Sequence, residues 1–295
     1  MLAILRAATA ALERRGIAEP RLSAEHLLAA VLACRRLDLY LRFDQLVTPS
    51  DIAAFRGLTR RRLTGEPIQY ITGSAGFRGL ELQVDRRVLI PRPETEQVVG
   101  HVLSWAAAEG ARGRAPAGGW RLLDVGTGSG AIACALAHEL PGLRWVVGTD
   151  RSVAALEVAR GNGLAAGAAR ARWVAADGFL GLRPGTFFDA IVANPPYLAD
   201  GDRDGLDVEI GWEPPGALFA GPRGDEALLR LVAEAAAWLR PGGLLALEVG
   251  SGQAADVAGR IRATPGLEHV ATIRDHAGHE RGVLAIAAPD SPPDR

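Results

Sequence analysis

LLDVGTGSGAIA, residues 122–133, runs from an apolar strand candidate through a glycine loop into an apolar, alanine-rich helix candidate. Gly126, Gly128 and Gly130 stand where the backbone must turn sharply and let a ligand approach with no Cβ in the way. The stretch reads as a cofactor cradle formed by Gly126, Thr127, Gly128, Ser129 and Gly130. It satisfies G-x-G-x-x-[G/A] through Gly126, Gly128 and Ala131, a form common to dinucleotide and S-adenosylmethionine sites, so alone it does not separate them. A tight turn without a ligand is the plainer alternative, and the order strand, glycines, helix weighs against it. Asp124, inside the strand, would be costly to bury unpaired, which predicts that it organises the loop by accepting backbone amides.

Downstream, strand and helix patterns alternate. WRLLDVG (120–126), RWVVGTD (144–150), ARWVAAD (171–177), FDAIVAN (188–194) and LLALEVG (244–250) read as strands, and HVATIRD (269–275) and RGVLAIAA (281–288) as a further, paired two. Between them GAIACALAHEL (130–140), SVAALEVARGNG (152–163, ending at glycine), GDEALLRLVAEAAAWLRPGG (224–243, stopped by Pro-Gly-Gly) and SGQAADVAGRIRA (251–263) read as helices. The expected fold class is α/β: a mainly parallel, seven-stranded sheet covered on both faces, with ligands at the carboxyl ends of its strands.

Asp150 ends the second of these strands, twenty residues beyond the glycines, where a carboxylate can accept both hydroxyls of an adenosine ribose. Capping the next helix is its alternative role. Asp177, after the third strand, is placed to bond an adenine amino group, with Phe179 available for the ring face; a turn or capping aspartate explains Asp177 nearly as well.

The fourth strand runs into VANPPYLAD, residues 192–200. Two prolines donate no backbone hydrogen bonds and fix their own φ angles, so the strand ends in a rigid loop with free acceptors. The Asn194 side-chain oxygen and the Pro195 carbonyl suit a planar –NH2 group donating two hydrogen bonds. Asn194 and Pro195 would hold that nitrogen in line with a methyl–sulfonium bond, and Tyr197 would pack against the flat group. Catalysis is assigned to Asn194, Pro195 and Tyr197, with Asn194 also bordering the cofactor. A proline-rich strand exit without chemistry is the alternative.

Upstream, leucines and alanines recur at three- and four-residue spacing from Leu2 to about Arg62, as in SAEHLLAAVLA (23–33), where Ser23 is expected to cap a helix. FRGLELQV (77–84) alternates like a hairpin. The expected organisation is a helical domain at 1–72, a hairpin linker at 73–92 and a catalytic domain at 93–295. The polar tail APDSPPDR (288–295) is expected to fray.

The chain has 295 residues, 48% of them hydrophobic, and a formal net charge of -1, which argues against a general electrostatic grip on nucleic acid. All 33 basic residues are arginine, most simply the mark of a GC-rich coding sequence. Cys34 and Cys134 lie a hundred residues apart with no spacing suited to zinc, which excludes a recognisable metal motif and predicts a reducing, cytoplasmic setting. The N-terminal stretch carries charges within its apolar periodicity, so neither a signal peptide nor a membrane anchor is expected.

With these residues in view, the chain resembles the PrmC/HemK family of methyltransferases, which modify the glutamine of the Gly-Gly-Gln motif in peptide-chain release factors. The likeness extends over nearly the whole chain. It includes SAEHLL (23–28), TRRRLTGEPIQYITG (59–73), LIPRPETE (89–96), DVGTGSGAIA (124–133), NPPY (194–197), WEPPGALFAG (212–221) and RDHAGHERGV (274–283). It implies an N-terminal helical domain that recognises the release factor and a Rossmann-like class I domain that binds S-adenosylmethionine. Gly126 to Gly130 and Asp150 would contact the cofactor, and Asn194, Pro195, Pro196 and Tyr197 would hold the glutamine amide. Arg92 and Glu96 would shape the edge of the site or form a junction salt bridge. Where members of the family can carry a tryptophan, this chain has Gly178, leaving Phe179 as the replacement adenine-stacking surface.

Three other functions compete: an adenine methyltransferase on DNA or RNA, which would need a basic face; a nicotinamide-dependent oxidoreductase, which leaves Asn-Pro-Pro-Tyr without a role; and a binding module that has kept a cofactor fold. The favoured expectation is a monomeric enzyme with release factors as substrates and no stable nucleic-acid or membrane partner.

Overall fold

The computed structural model describes residues 1–41, 46–275 and 277–288, so His276 and residues 289–295, most of the tail expected to fray, lie outside the described residues. The chain forms two compact units. The first consists of Met1–Ser74 with Leu206–Trp212; the second runs from Ala75 to Gly205 and continues from Glu213.

The first unit contains α1 (Leu2–Arg14), α2 (Pro20–Val31), α3 (Asp38–Leu41), α4 (Pro49–Leu63) and α5 (Ile68–Thr72). Leu12, Leu27, Leu28, Phe55 and Ile71 meet in its core. A capping box starts α4: Thr48 accepts from the Asp51 amide, Asp51 accepts from the Thr48 amide, and Pro49 occupies the first turn. Ser23 does not cap α2 as expected. The helix starts a turn earlier, at Pro20, whose fixed φ suits a first helical position, and Ser23 is buried within it. Arg62, also buried, is neutralised by Glu209 from the returning segment and donates to the Glu66 carbonyl at 2.9 Å.

The second unit begins with the hairpin β1 (Ser74–Phe77) and β2 (Leu80–Gln83), followed by α6 (Pro93–Ala111), β3 (Trp120–Val125), α7 (Ala131–Glu139), β4 (Leu143–Asp150), α8 (Val153–Ala165), β5 (Ala171–Ala175), β6 (Phe188–Ala193) and β7 (Leu198–Ala199). Then come α9 (Pro215–Leu218), β8 (Phe219–Gly221), α10 (Glu226–Ala235), β9 (Leu239–Glu248), α11 (Ala254–Ala263), β10 (Leu267–Arg274) and β11 (Glu280–Ala287). The hairpin of the segment 73–92 is held by side-chain bonds to this unit. Its turn residue Arg78 donates to Glu139 at 2.6 Å, and the amide of Gln83 donates to Asn162 at 2.7 Å, so the hairpin is bonded into this unit.

Seven strands make one sheet in the order β10-β11-β9-β6-β3-β4-β5, parallel except for β11, which runs antiparallel to both neighbours. Alternation along the strands divides the core. Leu122, Ala190, Val192 and Leu244 face the layer of α6 and α7, whereas Leu123, Val125, Ile191 and Leu245 face α10 and α11.

Two element ends differ from the sequence reading. α8 runs past Gly163 to Ala165, because this glycine makes room rather than stopping the helix: a Cβ there would come within 2.8 Å of the Trp173 ring. α10 ends at Ala235, and β9 already starts at Leu239. Pro241-Gly242-Gly243 forms an excursion between the Phe188–Leu239 and Ala190–Leu244 pairings. Among the described residues no helix is long and apolar enough to cross a membrane, and no group of three or more His, Cys, Asp or Glu could hold a metal ion.

Candidate active site

β3 and β6 are neighbours at which the strand order reverses: the chain proceeds from β3 towards β4 on one side and from β6 towards β9 on the other. Such a switch point leaves a crevice at the carboxyl ends. Val125 pairs with Ala193 in the last register of the two strands, so the next residues, Gly126 and Asn194, enter the crevice side by side. It opens into a cavity of about 570 Å³ lined by the loop Gly126–Ser129 and by Asp150, Asp177, Asn194, Pro195 and Pro196.

The glycine loop is built from short-range bonds. Thr127 donates its amide to the Thr149 carbonyl at 2.8 Å and its hydroxyl to Asp124 at 2.5 Å. Gly126 has φ +72° and open space where a Cβ would stand, so the backbone is bare towards a ligand. Gly130 does not line the cavity. At φ +80° it starts α7, and a Cβ would fall 2.9 Å from Trp173, so this glycine serves packing. Asp124 organises the loop, but through one hydroxyl and the single amide of Ala133 at 3.1 Å. Its Oδ1 is buried with no partner among the described residues, and burial pushes the carboxyl up to about 7.

Asp150 accepts the Gly128 amide at 2.9 Å on one oxygen and the Ser152 amide at 2.8 Å on the other. Ser152, not Asp150, is the cap of α8. The half-buried carboxylate lines the cavity and, with one amide on each oxygen, keeps further lone pairs for a ligand. Asp177 is exposed at the cavity rim and binds Arg230 at 3.0 Å. Phe179 is a correction: it does not line the cavity. Its ring is buried and stacks on Trp238 at 5.6 Å between centroids, because this apolar side chain turns into the layer under α10. At Gly178, φ +62°, a Cβ would have the Arg230 guanidinium as its nearest neighbour, at 3.6 Å.

Asn194, Pro195 and Pro196 line the cavity together. The Asn194 side-chain NH2 donates to the Thr95 hydroxyl at 3.0 Å, and Thr95 in turn donates to Glu248 at 2.5 Å. Asn194 Oδ1 is buried and has no partner among the described residues. Sequence reading missed both Thr95, in the first turn of α6, and Glu248, the last residue of β9; the only signal was their membership of PETE and LALEVG. Burial pushes the Glu248 carboxyl up to about 7. Tyr197 is partly buried: its ring sits against the backbone at Gly250 and packs on the layer under α11, and its carbonyl accepts from Gln253 at 3.0 Å. Burial raises its hydroxyl to about 12, so it stays protonated.

Arg92 and Glu96 do not line the cavity either. Arg92 pairs with the buried Glu213, which also accepts the Ile90 amide at 3.0 Å and thereby joins LIPRPETE to WEPPGALFAG. Glu96 accepts the Arg78 amide at 2.9 Å. The resulting site combines bare backbone, a carboxylate at a strand end, apolar walls from Val125 and Leu231, and an orphaned amide oxygen. This donor and acceptor set fits a nucleoside with a polar reactive end.

Family models match at both ends of this architecture: PrmC N-terminal domain over residues 3–73 and methyltransferase small domain over residues 115–210. The chain is 40% identical over 288 residues to a release factor glutamine methyltransferase of Chlorobaculum tepidum, covering 96% of each. It is 41% identical over 271 residues to one of Moorella thermoacetica, covering 92% of each. Among solved structures, the hMettl16 catalytic domain in complex with MAT2A 3'UTR hairpin 1 aligns over 83% of this chain and 82% of that one, with TM-score 0.56 at 15% identity, a likeness of fold.

Proposed function

This chain belongs to the release factor glutamine methyltransferase family, and from that premise we propose that it methylates the side-chain amide nitrogen, N5, of the Gly-Gly-Gln glutamine in peptide-chain release factors. The second unit has the class I methyltransferase fold, and the methyl donor is S-adenosylmethionine. The observation that carries the reading is the buried Asn194 Oδ1, which has no partner among the described residues, on a side chain that lines a cavity otherwise suited to a nucleoside. A buried acceptor left unpaired costs about 1–3 kcal/mol, a cost that a substrate N–H removes.

Bound S-adenosylmethionine supplies an electrophilic methyl group. Gly126, Thr127, Gly128 and Ser129 would offer it backbone, Asp150 would accept the ribose hydroxyls, and Asp177 would stand at the adenine side. Asn194 Oδ1 and the Pro195 carbonyl accept the two hydrogens of the glutamine NH2, and Pro196 closes the loop beside them. An amide nitrogen is a poor nucleophile because its lone pair is delocalised. Two acceptors on its hydrogens would align it and stabilise the positive charge that grows there as the N–CH3 bond forms and the S–CH3 bond breaks, its electron pair staying on sulfur; one of those hydrogens then passes to water as a proton. Alignment of this kind contributes up to roughly 7–11 kcal/mol in the best cases. The first unit is assigned recognition of the release factor. We place the protein in the cytoplasm as a monomer, without stable nucleic-acid binding, in keeping with its net charge of -1.

The test is peptide mass spectrometry after incubation with S-adenosylmethionine and a release factor, beside a factor whose motif glutamine is changed. One methyl group on that glutamine alone is the expected result. Neither factor gaining a methyl, with cofactor binding demonstrated, sinks the proposal.

A further inference from the structure

An asparagine amide can point either end into a cavity, and only one end accepts the hydrogens of a substrate NH2. We infer that Thr95 and Glu248 are positioning residues that fix this choice, holding the Asn194 NH2 inward so that Oδ1 faces the substrate. The inference rests on the functional reading above.

The argument is one of donors and acceptors. An ionised Glu248 only accepts, so the single Thr95 hydroxyl hydrogen goes to it, across 2.5 Å. Thr95 Oγ1 is then left with lone pairs alone, and the Asn194 group that meets it at 3.0 Å must be the NH2. The other end of the amide, Oδ1, has no partner among the described residues. Protonation of Glu248 reverses the chain: the carboxyl donates to Thr95, Thr95 donates to Asn194 Oδ1, and the NH2 turns to the cavity, where it repels the substrate's own NH2. Thr95 lies in the first turn of α6, whose N-terminal dipole favours the carboxylate form of Glu248. The charged and titratable groups around Glu248 are Glu94 and Arg92 at the start of α6, Arg281 on β11, and Tyr197 from the Asn-Pro-Pro-Tyr loop. Those arginines favour the ionised form, while Glu94 and burial oppose it, the latter most strongly.

The experiment compares wild type, Thr95→Val, Thr95→Ser and Glu248→Gln in steady-state methylation of a release factor from about pH 5 to about pH 9. Thr95→Val is expected to lose on the order of 10- to 100-fold in kcat, with cofactor Kd within about twofold, and Thr95→Ser to regain most of it. In wild type kcat rises with pH as Glu248 ionises; in Glu248→Gln that rise is absent. In the cofactor-free protein, the 15N–1H signals of the Asn194 side chain, assigned by their loss in Asn194→Asp, should shift with the same titration and not in Glu248→Gln. A Thr95→Val enzyme as fast as wild type, a Thr95→Ser enzyme as slow as Thr95→Val, or an acid limb unchanged in Glu248→Gln overturns the inference. Glu248→Gln decides alone if Thr95→Val does not fold. Wild type that methylates no release factor sinks the functional reading, while the amide signals still test the orientation.

Discussion

The glycine loop after β3 and the Asn-Pro-Pro-Tyr loop after β6 leave adjacent strands, yet they are held from very different distances along the chain. Thr127 is fixed by Asp124, three residues away, and Gly128 by Asp150, twenty-two away. Asn194 is fixed by Thr95, 99 residues away, which is in turn held by Glu248, 153 residues from it. The first loop binds with backbone, whose direction follows from local φ and ψ. The second acts through a side-chain amide with two chemically opposite ends, and local sequence does not choose between them.

The sharpest way to break this comparison is to remove the amide and leave the glycine loop intact. Asn194→Ala is expected to lower kcat/KM for methyl transfer roughly 100- to 1,000-fold, the scale for deleting one preorganised group at a reacting centre. Cofactor Kd should move less than about threefold, because the bonds of the glycine loop do not involve Asn194. Near-normal turnover would mean that the free Oδ1 has no part in the chemistry.

This difference in range also explains which features were legible. The seven strands and the residues of both loops follow from periodicity and from glycine and proline chemistry, which are local, whereas the strand order that makes the switch point is not. Thr95 and Glu248 were not legible, because neither residue type nor spacing announces a partner on another element. Phe179 misled for a related reason. An aromatic next to a motif suggests a ligand surface, but this ring turns into the layer beneath α10, where burying apolar area is favourable. Gly130 belongs to the glycine motif and serves Trp173 instead, a residue forty-three positions on.

Glu248 sharpens the comparison further, since it should weaken the fold in the state that orients Asn194. Its carboxyl is raised from 4.5 to about 7 by burial. A raised carboxyl contributes stability that is fully present below the unfolded value and is lost as pH rises through the folded one. A shift of this size is worth roughly 3 kcal/mol. Urea melts of wild type and Glu248→Gln should therefore diverge between about pH 5 and about pH 8, wild type losing stability relative to the variant. Asp124, shifted in the same direction, is present in both proteins and cancels. Parallel stability curves would show that Glu248 does not titrate in this window.

The smallest effect is expected at Asp177, the carboxylate that resembles Asp150 in sequence position but not in its surroundings. Asp150 is half-buried and locked by two backbone amides, so it meets a ligand without first having to be ordered. Asp177 is exposed and already engaged with Arg230, an ion pair of the class worth about 0–1 kcal/mol. An adenine amino group arriving there replaces water at an accessible oxygen, which leaves little net gain. Asp177→Ala should accordingly weaken S-adenosylmethionine binding no more than about fivefold by calorimetric titration, against on the order of 10- to 100-fold for Asp150→Ala. Equal losses at the two positions would mean that the rim is drawn in on binding, and that the adenine end is held as firmly as the ribose.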